Sequence, residues 1–303
     1  MESNNLIVIT GPTASGKTRR AVELALALGN GEIVSADSRQ VYRGMDLGTG
    51  KDLEEYGRVP YHLIDTQPAG SKYNLYGYLA DARAAIADIR ARGKRPILCG
   101  GTGLYVESLL RGLVLPEVPE NPALRAALRG KSLDELTEML ASMKRLHNTT
   151  DVDTCARAIR AIEIQTFYAD HPEADPAVAS VPPECDAIIG VAIDREERRR
   201  RIEQRLRARL DAGMADEVRR LLDSGIPADD LIYYGLEYKY LTLYVTGQMS
   251  FDRMESELLI AIHQFAKRQM TWFRGMERRG HHIDWIDHND PSFLQKALAL
   301  IEK

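Results

Sequence analysis

The sequence predicts an α/β fold: a parallel sheet flanked by helices, interrupted by a helical insertion and ending in a helical C-terminal part. Three observations carry that expectation. A glycine-rich loop, Gly11–Thr18 (GPTASGKT), stands directly behind the apolar run Leu6-Ile7-Val8-Ile9. Short β-branched or apolar runs alternate with amphipathic helical patterns over residues 5–115. Such alternation implies a parallel sheet with its ligand crevice at the carboxyl ends of the strands. Between Pro116 and about Pro183 no β-rich run occurs, and strand character returns only at Asp186–Ile193.

Taken in order, the first strand is Leu6–Thr10, and the loop behind it reads as a phosphate cradle of the P-loop NTPase type. Gly11 and Gly16 permit backbone conformations that let successive N–H groups face phosphate oxygens. Lys17 adds a point charge, Thr18 can ligate magnesium, and the helix from Lys17 to about Leu28 presents its positive dipole end. The whole loop (Gly11, Pro12, Thr13, Ala14, Ser15, Gly16, Lys17, Thr18) is therefore the candidate di- or triphosphate site. Two further strands are expected at Glu32–Ala36 and Pro96–Cys99. Between them lies a helix from Leu75 to Arg92, with Leu75, Tyr78, Leu79, Ala82, Ile86 and Ile89 at i, i+3, i+4 spacing. Helical patterns then cover Asn121–Leu146 and Asp153–Tyr168, followed by the polar, proline-containing stretch Ala169–Pro183. This divides the chain into a core of residues 1–115 and 186–303 and a helical insertion of residues 116–185. After the returning strand, a long helix is expected from Arg195 to about Ser224, and a short one around Leu236–Thr246. Another long helix spans Phe251–Arg274, with Met254, Leu258, Ile262, Phe265 and Met270 facing inward. A small strand near Ile283–Ile286 and a helix from Pro291 close the chain.

Composition is that of an ordinary soluble globular protein, with 44% hydrophobic and 28% charged residues. No apolar run approaches the ~20 residues needed to span a membrane, and no basic-then-apolar leader opens the chain. A cytoplasmic protein without membrane attachment is the expectation. Cys99, Cys155 and Cys185 are scattered and read as reduced thiols rather than zinc ligands. The net charge of −4 argues against indiscriminate nucleic-acid binding, but its distribution is uneven. Arg195–Arg209 carries eight Arg against three Glu, and His263–His282 carries five Lys or Arg against Glu277 alone. Such basic faces suit a polyanion held in one place, although a solvated helix face is the ordinary reading of charge by itself.

The acid pattern decides which phosphate chemistry is expected. An NTPase of this fold normally ends a second hydrophobic strand in an acid that holds magnesium. Here Pro96-Ile97-Leu98-Cys99 ends in Gly100-Gly101-Thr102-Gly103. The carboxylate is instead Asp37, after Glu32–Ala36, where it could take a proton from an attacking group. A helix cap or loop acid is the alternative.

The ordered set of motifs resembles the tRNA dimethylallyltransferases. It comprises GPTASGKT, Asp37-Ser38-Arg39-Gln40-Val41-Tyr42-Arg43-Gly44-Met45-Asp46, Gly48-Thr49-Gly50-Lys51 and His62-Leu63-Ile64-Asp65. It continues with Gly100–Tyr105, Arg201-Ile202-Glu203-Gln204-Arg205 and Lys267–Arg274. The resemblance covers nearly the whole chain. It implies transfer of a dimethylallyl group from dimethylallyl diphosphate to the exocyclic amino nitrogen of the adenosine just 3′ of the anticodon. By the same comparison Lys17, Thr18 and Mg2+ hold the diphosphate, and Thr13 and Arg205 reach the oxygens near the breaking bond. Asp37 accepts the amine proton, and Thr102 lies near the acceptor base. Ser38, Arg39, Gln40, Arg125, Asp153–Arg157, the segment around Ile232–Glu237 with Gly235, and Lys267, Arg268, Gln269, Trp272 and Arg274 are implied to meet the anticodon stem-loop. Trp272 and the Tyr233-Tyr234 pair are candidates for stacking on bases, against the commoner role of aromatics as core. A monomer is expected.

This chain departs from the family pattern where Tyr233-Tyr234-Gly235-Leu236-Glu237-Tyr238-Lys239 stands in place of an Ala-Ile-Gly-Tyr-Lys-type run. It departs again where Gly50-Lys51-Asp52 replaces Ala-Lys-Pro. Competing readings are prenylation of free adenine nucleotide, a small-molecule kinase, and an inactive RNA-binding relative. Length and cationic surface oppose the first two, and intact Lys17, Asp37 and Arg205 oppose the third.

Overall fold

In the computed structural model, residues 5–146, 150–172 and 180–302 are described. The chain divides into one compact unit of Met1–Arg111 with Pro182–Lys303, and a second of Gly112–Val181. In the first unit the strands are β1 (Leu6–Thr10), β2 (Gly31–Ser35), β3 (Tyr61–His62), β4 (Arg95–Gly100), β5 (Cys185–Ala192) and β6 (Asp284–Asp287). They form a wholly parallel six-stranded sheet in the order β3-β2-β4-β1-β5-β6. Strand β1 is central and fully buried, its Ile7 and Ile9 packing with Ile33, Ile97, Ile189 and Val191. A strand covered on both faces reads as a continuous apolar run, which is what Leu6–Ile9 is.

The helices of this unit are α1 (Lys17–Leu28), α2 (Leu75–Ala91) and α3 (Gly103–Leu110). The second unit holds α4 (Pro122–Leu128), α5 (Leu133–Met143) and α6 (Cys155–Asp170). The chain then returns to the first unit with α7 (Arg195–Asp211), α8 (Met214–Asp223), α9 (Ala228–Tyr233), α10 (Leu236–Val245), α11 (Phe251–Arg278) and α12 (Phe293–Ile301). A second core joins α7, α8, α10 and α11 to the loop after β2 through Ile202, Leu206, Val218, Leu241 and Leu258 around Tyr42 and Met45.

The structure corrects several sequence expectations. The long helix expected over 195–224 is two helices, because Gly213 adopts a left-handed conformation (φ 94°) between them. The pattern over 121–146 likewise breaks at Gly130 (φ 88°), and a Ser132/Glu135 capping box starts α5. Strand β3 and helix α9 are too short to carry a periodic signal. Phe265, expected inside, is exposed at 38%. Part of the Ala169–Pro183 stretch, residues 173–179, lies outside the described residues.

At the sheet edge, buried Glu32 accepts from Arg92 Nη1 at 2.5 Å and Nη2 at 2.7 Å and pairs with His62 Nε2 at 2.8 Å. The Arg92 contact, outweighing burial and helped by His62, holds its carboxyl down at about 2. A depressed folded-state pKa stabilises above the unfolded value near 4.5, and that contribution disappears as pH falls through about 2. Urea midpoints taken from pH 5 down to 2.5 should therefore fall less in Glu32→Gln than in the parent. Parallel curves for the two proteins would remove this account.

Candidate active site

Six segments converge at the carboxyl end of the sheet around a cavity of about 490 Å³. They are the loop after β1, the loop after β2, the turn after β4, helix α7, the turn Tyr234–Glu237 that opens α10, and the face of α11. The β1 loop owes its shape to local chemistry. A β-carbon on Gly11 would meet Ser15 Oγ at 2.8 Å and Val191 O at 3.0 Å. Gly16 caps α1 in the left-handed region (φ 82°), and Ala14 takes the same region (φ 62°). No side chain caps the first turn of α1, and no acid lies in it. Its N–H groups and positive dipole end are thus left for an anion. Thr13, Ala14, Gly16, Lys17 and Thr18 line the cavity. Gly11, Pro12 and Ser15 are buried behind it. Burial lowers the pKa of the Lys17 ammonium, with Cys99 and Asp37 opposing and Arg205 reinforcing that shift.

Asp37 lines the same cavity as this loop. Its Oδ1 accepts from Arg39 N at 2.9 Å, and its own N–H donates to Ser35 Oγ at 3.3 Å. Both bonds fix the carboxylate on a tight turn. The turn after β4 comes close because Gly100 lies against the Ala36 backbone, where a β-carbon would collide. Thr102 N donates to Ala36 O, and Thr102 Oγ1 accepts from Ser38 N at 3.2 Å. Gly103 lies under the Trp272 ring, leaving no room for a side chain. Ser38, Arg39, Gln40, Gly235, Arg268 and Trp272 line the same cavity.

Gln269 lines the same cavity and has protein partners of its own. It is buried, its Oε1 accepting from Thr13 N at 2.8 Å and its Nε2 donating to Gly101 O at 2.9 Å. It ties the phosphate loop to the glycine turn. Lys267 and Arg274 line a separate cavity of about 640 Å³ with Arg195, Arg198, Arg199 and His263. The aromatic candidates divide. Tyr234 is core, donating to Ser71 O at 2.5 Å, whereas Tyr233 is half exposed under the Arg39 guanidinium at 5.5 Å.

In the second unit, buried Glu163 accepts from Arg125 Nε at 2.8 Å, Asn121 N at 2.7 Å and Arg160 Nη1 at 2.6 Å. Burial opposes its charge, but these donors together hold its carboxyl at about 2. Arg125 is thus ion-paired inside the insertion, and Arg157 pairs with Asp153 at 2.7 Å on its exposed surface.

With this geometry in view, comparison with known proteins is decisive. A family profile described as IPP transferase matches residues 40–276, and one described as isopentenyl transferase matches residues 4–58. The chain is 60% identical over 286 residues to tRNA dimethylallyltransferase 1 of Porphyromonas gingivalis, covering 93% of each chain. It is also 60% identical over 295 residues to tRNA dimethylallyltransferase 2 of Bacteroides fragilis, covering 96% of this chain and 95% of the other. The chain belongs to the IPP transferase family. A solved tRNA isopentenylpyrophosphate transferase of Bacillus halodurans superposes with a TM-score of 0.71 at 31% identity, covering 99% and 95% of the two chains. A eukaryotic dimethylallyltransferase shares the fold at a TM-score of 0.78 and 22% identity, covering 96% and 75%.

The transferase framework includes residues that sequence reasoning missed. Buried Glu217 on α8 accepts from the N–H groups of Asp46, Leu47 and Gly48 at 2.9, 2.8 and 3.1 Å, and from Tyr238 OH at 2.6 Å. Lys51, fully buried, donates to Tyr42 O and Asp46 at 2.6 Å and to Asp65. These contacts hold the loop that leads away from Asp37. An acid on the apolar face of α8, beside Val218 and Leu221, was the available signal.

Proposed function

We propose that this chain transfers the dimethylallyl group of dimethylallyl diphosphate to the exocyclic amino nitrogen of the adenosine 3′-adjacent to a tRNA anticodon. The observation that carries this reading is one cavity lined by both an anion cradle and the Asp37 carboxylate, in a chain of the same family as enzymes named for tRNA. In the reaction the nitrogen lone pair attacks the allylic carbon, the carbon–oxygen bond breaks with its electrons to the bridging oxygen, and diphosphate leaves. The nitrogen's proton passes to Asp37. Lys17, Arg205 and the α1 N–H groups face the charge that grows on the leaving oxygens, so they favour the transition state over the ground state. Thr102 and Ser38, joined by a hydrogen bond, form the wall where the base would rest. The braced Gln269 positions the phosphate loop. Arg39, Arg268 and Trp272 line the cavity, Arg39 lying over the exposed Tyr233 ring, and this set suits a single-stranded, phosphate-rich ligand.

Mg2+ fits this donor set. Among the described residues no His, Cys, Asp and Glu cluster could hold a metal by itself, but magnesium is commonly held by few protein groups together with substrate phosphates. The Thr18 hydroxyl, which lines the cavity, would be the protein ligand, and the ion would neutralise charge on the diphosphate. Solution in the cytoplasm as a monomer belongs to the same reading; no helix among the described residues is long and apolar enough to cross a membrane. The relatives are named for tRNA, which sets the free-nucleotide alternative aside.

The test is to incubate the protein with tRNA, dimethylallyl diphosphate and magnesium, digest the tRNA and weigh its nucleosides. Prenylated adenosine in tRNA is expected, and product on free AMP with none in tRNA would overturn the proposal.

A further inference from the structure

Asp52 and Arg209 face the diphosphate cradle and have no part in the mechanism above. Asp52 Oδ2 accepts from Arg205 Nη2 at 2.9 Å, and both its oxygens lie 3.0 Å from Arg209 Nη2. Arg205 and Arg209 are one turn apart on α7, so they reach the same side. Both line the cavity with Thr13, Ala14 and Lys17. The local backbone is shaped around this cluster. Asp52 sits in the left-handed region (φ 43°, ψ 51°). Gly50 (φ 65°) lets both guanidiniums lie where a β-carbon would stand. Burial and the neighbouring Arg209 both depress the charged form of Arg205. Two guanidiniums this close call for an anion between them, and a carboxylate engages the same fork of donors that a phosphate would.

We infer that Arg209 is a second guanidinium ligand of the diphosphate, and that Asp52 is a resident anion that pre-positions both arginines and competes with the diphosphate for them. The inference rests on the activity proposed above and assigns the anion half of its site. Diphosphate binding transfers the two forks from carboxylate to phosphate oxygens, and Asp52 recaptures them as the product leaves. The Asp52 side chain is 44% exposed, so it can turn to solvent while the arginines are engaged.

The experiment titrates inorganic pyrophosphate into the protein by calorimetry and measures steady-state prenylation in parallel. Asp52→Asn keeps a residue that tolerates the left-handed backbone, and Asp52→Gly serves as a second variant with the same backbone freedom. Either should tighten pyrophosphate binding about three- to tenfold and lower KM for dimethylallyl diphosphate in step. Arg209→Gln should weaken both about tenfold, Arg209→Lys should recover part of the loss, and KM for tRNA should stay unchanged. Unchanged or weaker pyrophosphate binding in both Asp52 variants, or unchanged binding in Arg209→Gln, would overturn the inference. A parent protein that shows these pyrophosphate effects yet leaves tRNA unmodified would keep the inference and sink the activity. Modified tRNA with unmoved pyrophosphate affinities would do the reverse.

Discussion

Replacing Asp37 by alanine is expected to slow turnover on tRNA by about 10²–10⁴-fold while tRNA and diphosphate affinities change little, because a positioned base contributes on that scale. Asn is the sharper substitution. Oδ1 of Asp37 accepts from Arg39 N, and an asparagine oxygen can keep that bond, so the turn survives while the proton acceptor is lost. Asp37→Asn should then match Asp37→Ala in kcat, with an unaltered melting temperature. If the role were only to hold the turn, Asn would restore the rate; a parent-like kcat in Asp37→Asn would strip this carboxylate of its chemical role. The adenine amine explains why the expected effect is large. Its lone pair is delocalised into the ring, so bond formation must be accompanied by removal of a proton.

The second large effect is expected at Arg205. Its guanidinium lines the cavity near Lys17, where the proposed reaction would build negative charge as the carbon–oxygen bond breaks. Deleting one such preorganised donor typically lowers kcat by about 10²–10³-fold. Arg205→Ala should show that loss together with a raised KM for dimethylallyl diphosphate and an unaltered KM for tRNA. Arg205→Lys keeps the charge but not the fork, so only partial recovery is expected. Steady-state kinetics in which kcat and KM both match the parent would show that Arg205 serves Asp52 and the loop rather than the leaving group.

The parts of this fold that were legible in the sequence are those whose cause is local. The apolar run Leu6–Ile9 can only be a strand buried on both faces, and GPTASGKT carries its own turn chemistry in Gly11, Gly16 and Lys17. What failed to show was governed by distant contacts. Helical periodicity runs unbroken across 195–224, and Gly213 within it is compatible with a helix at a cost of about 1 kcal/mol; it becomes a break because Met214 and Val218 must enter the core around Tyr42 and Met45. Gln269 sits in a motif rich in cations, and nothing local distinguishes a residue facing RNA from one whose amide ties Thr13 to Gly101. Tyr233 and Tyr234 are neighbours of the same type, yet one is core and the other is surface.

By itself, the order of residues determined that this chain builds a parallel sheet, a phosphate cradle behind its first strand, and a carboxylate behind its second. Those features depend on side-chain period and backbone freedom within a few positions. Only the tertiary structure decided that Asp37, Thr102, Arg205 and the cradle share one cavity, and that Asp52 holds Arg205 and Arg209 together. Those juxtapositions join residues as far apart as Thr13 and Arg205, 192 positions from one another, and no local rule relates two side chains until the sheet order and the packing of α7 and α11 bring them within reach.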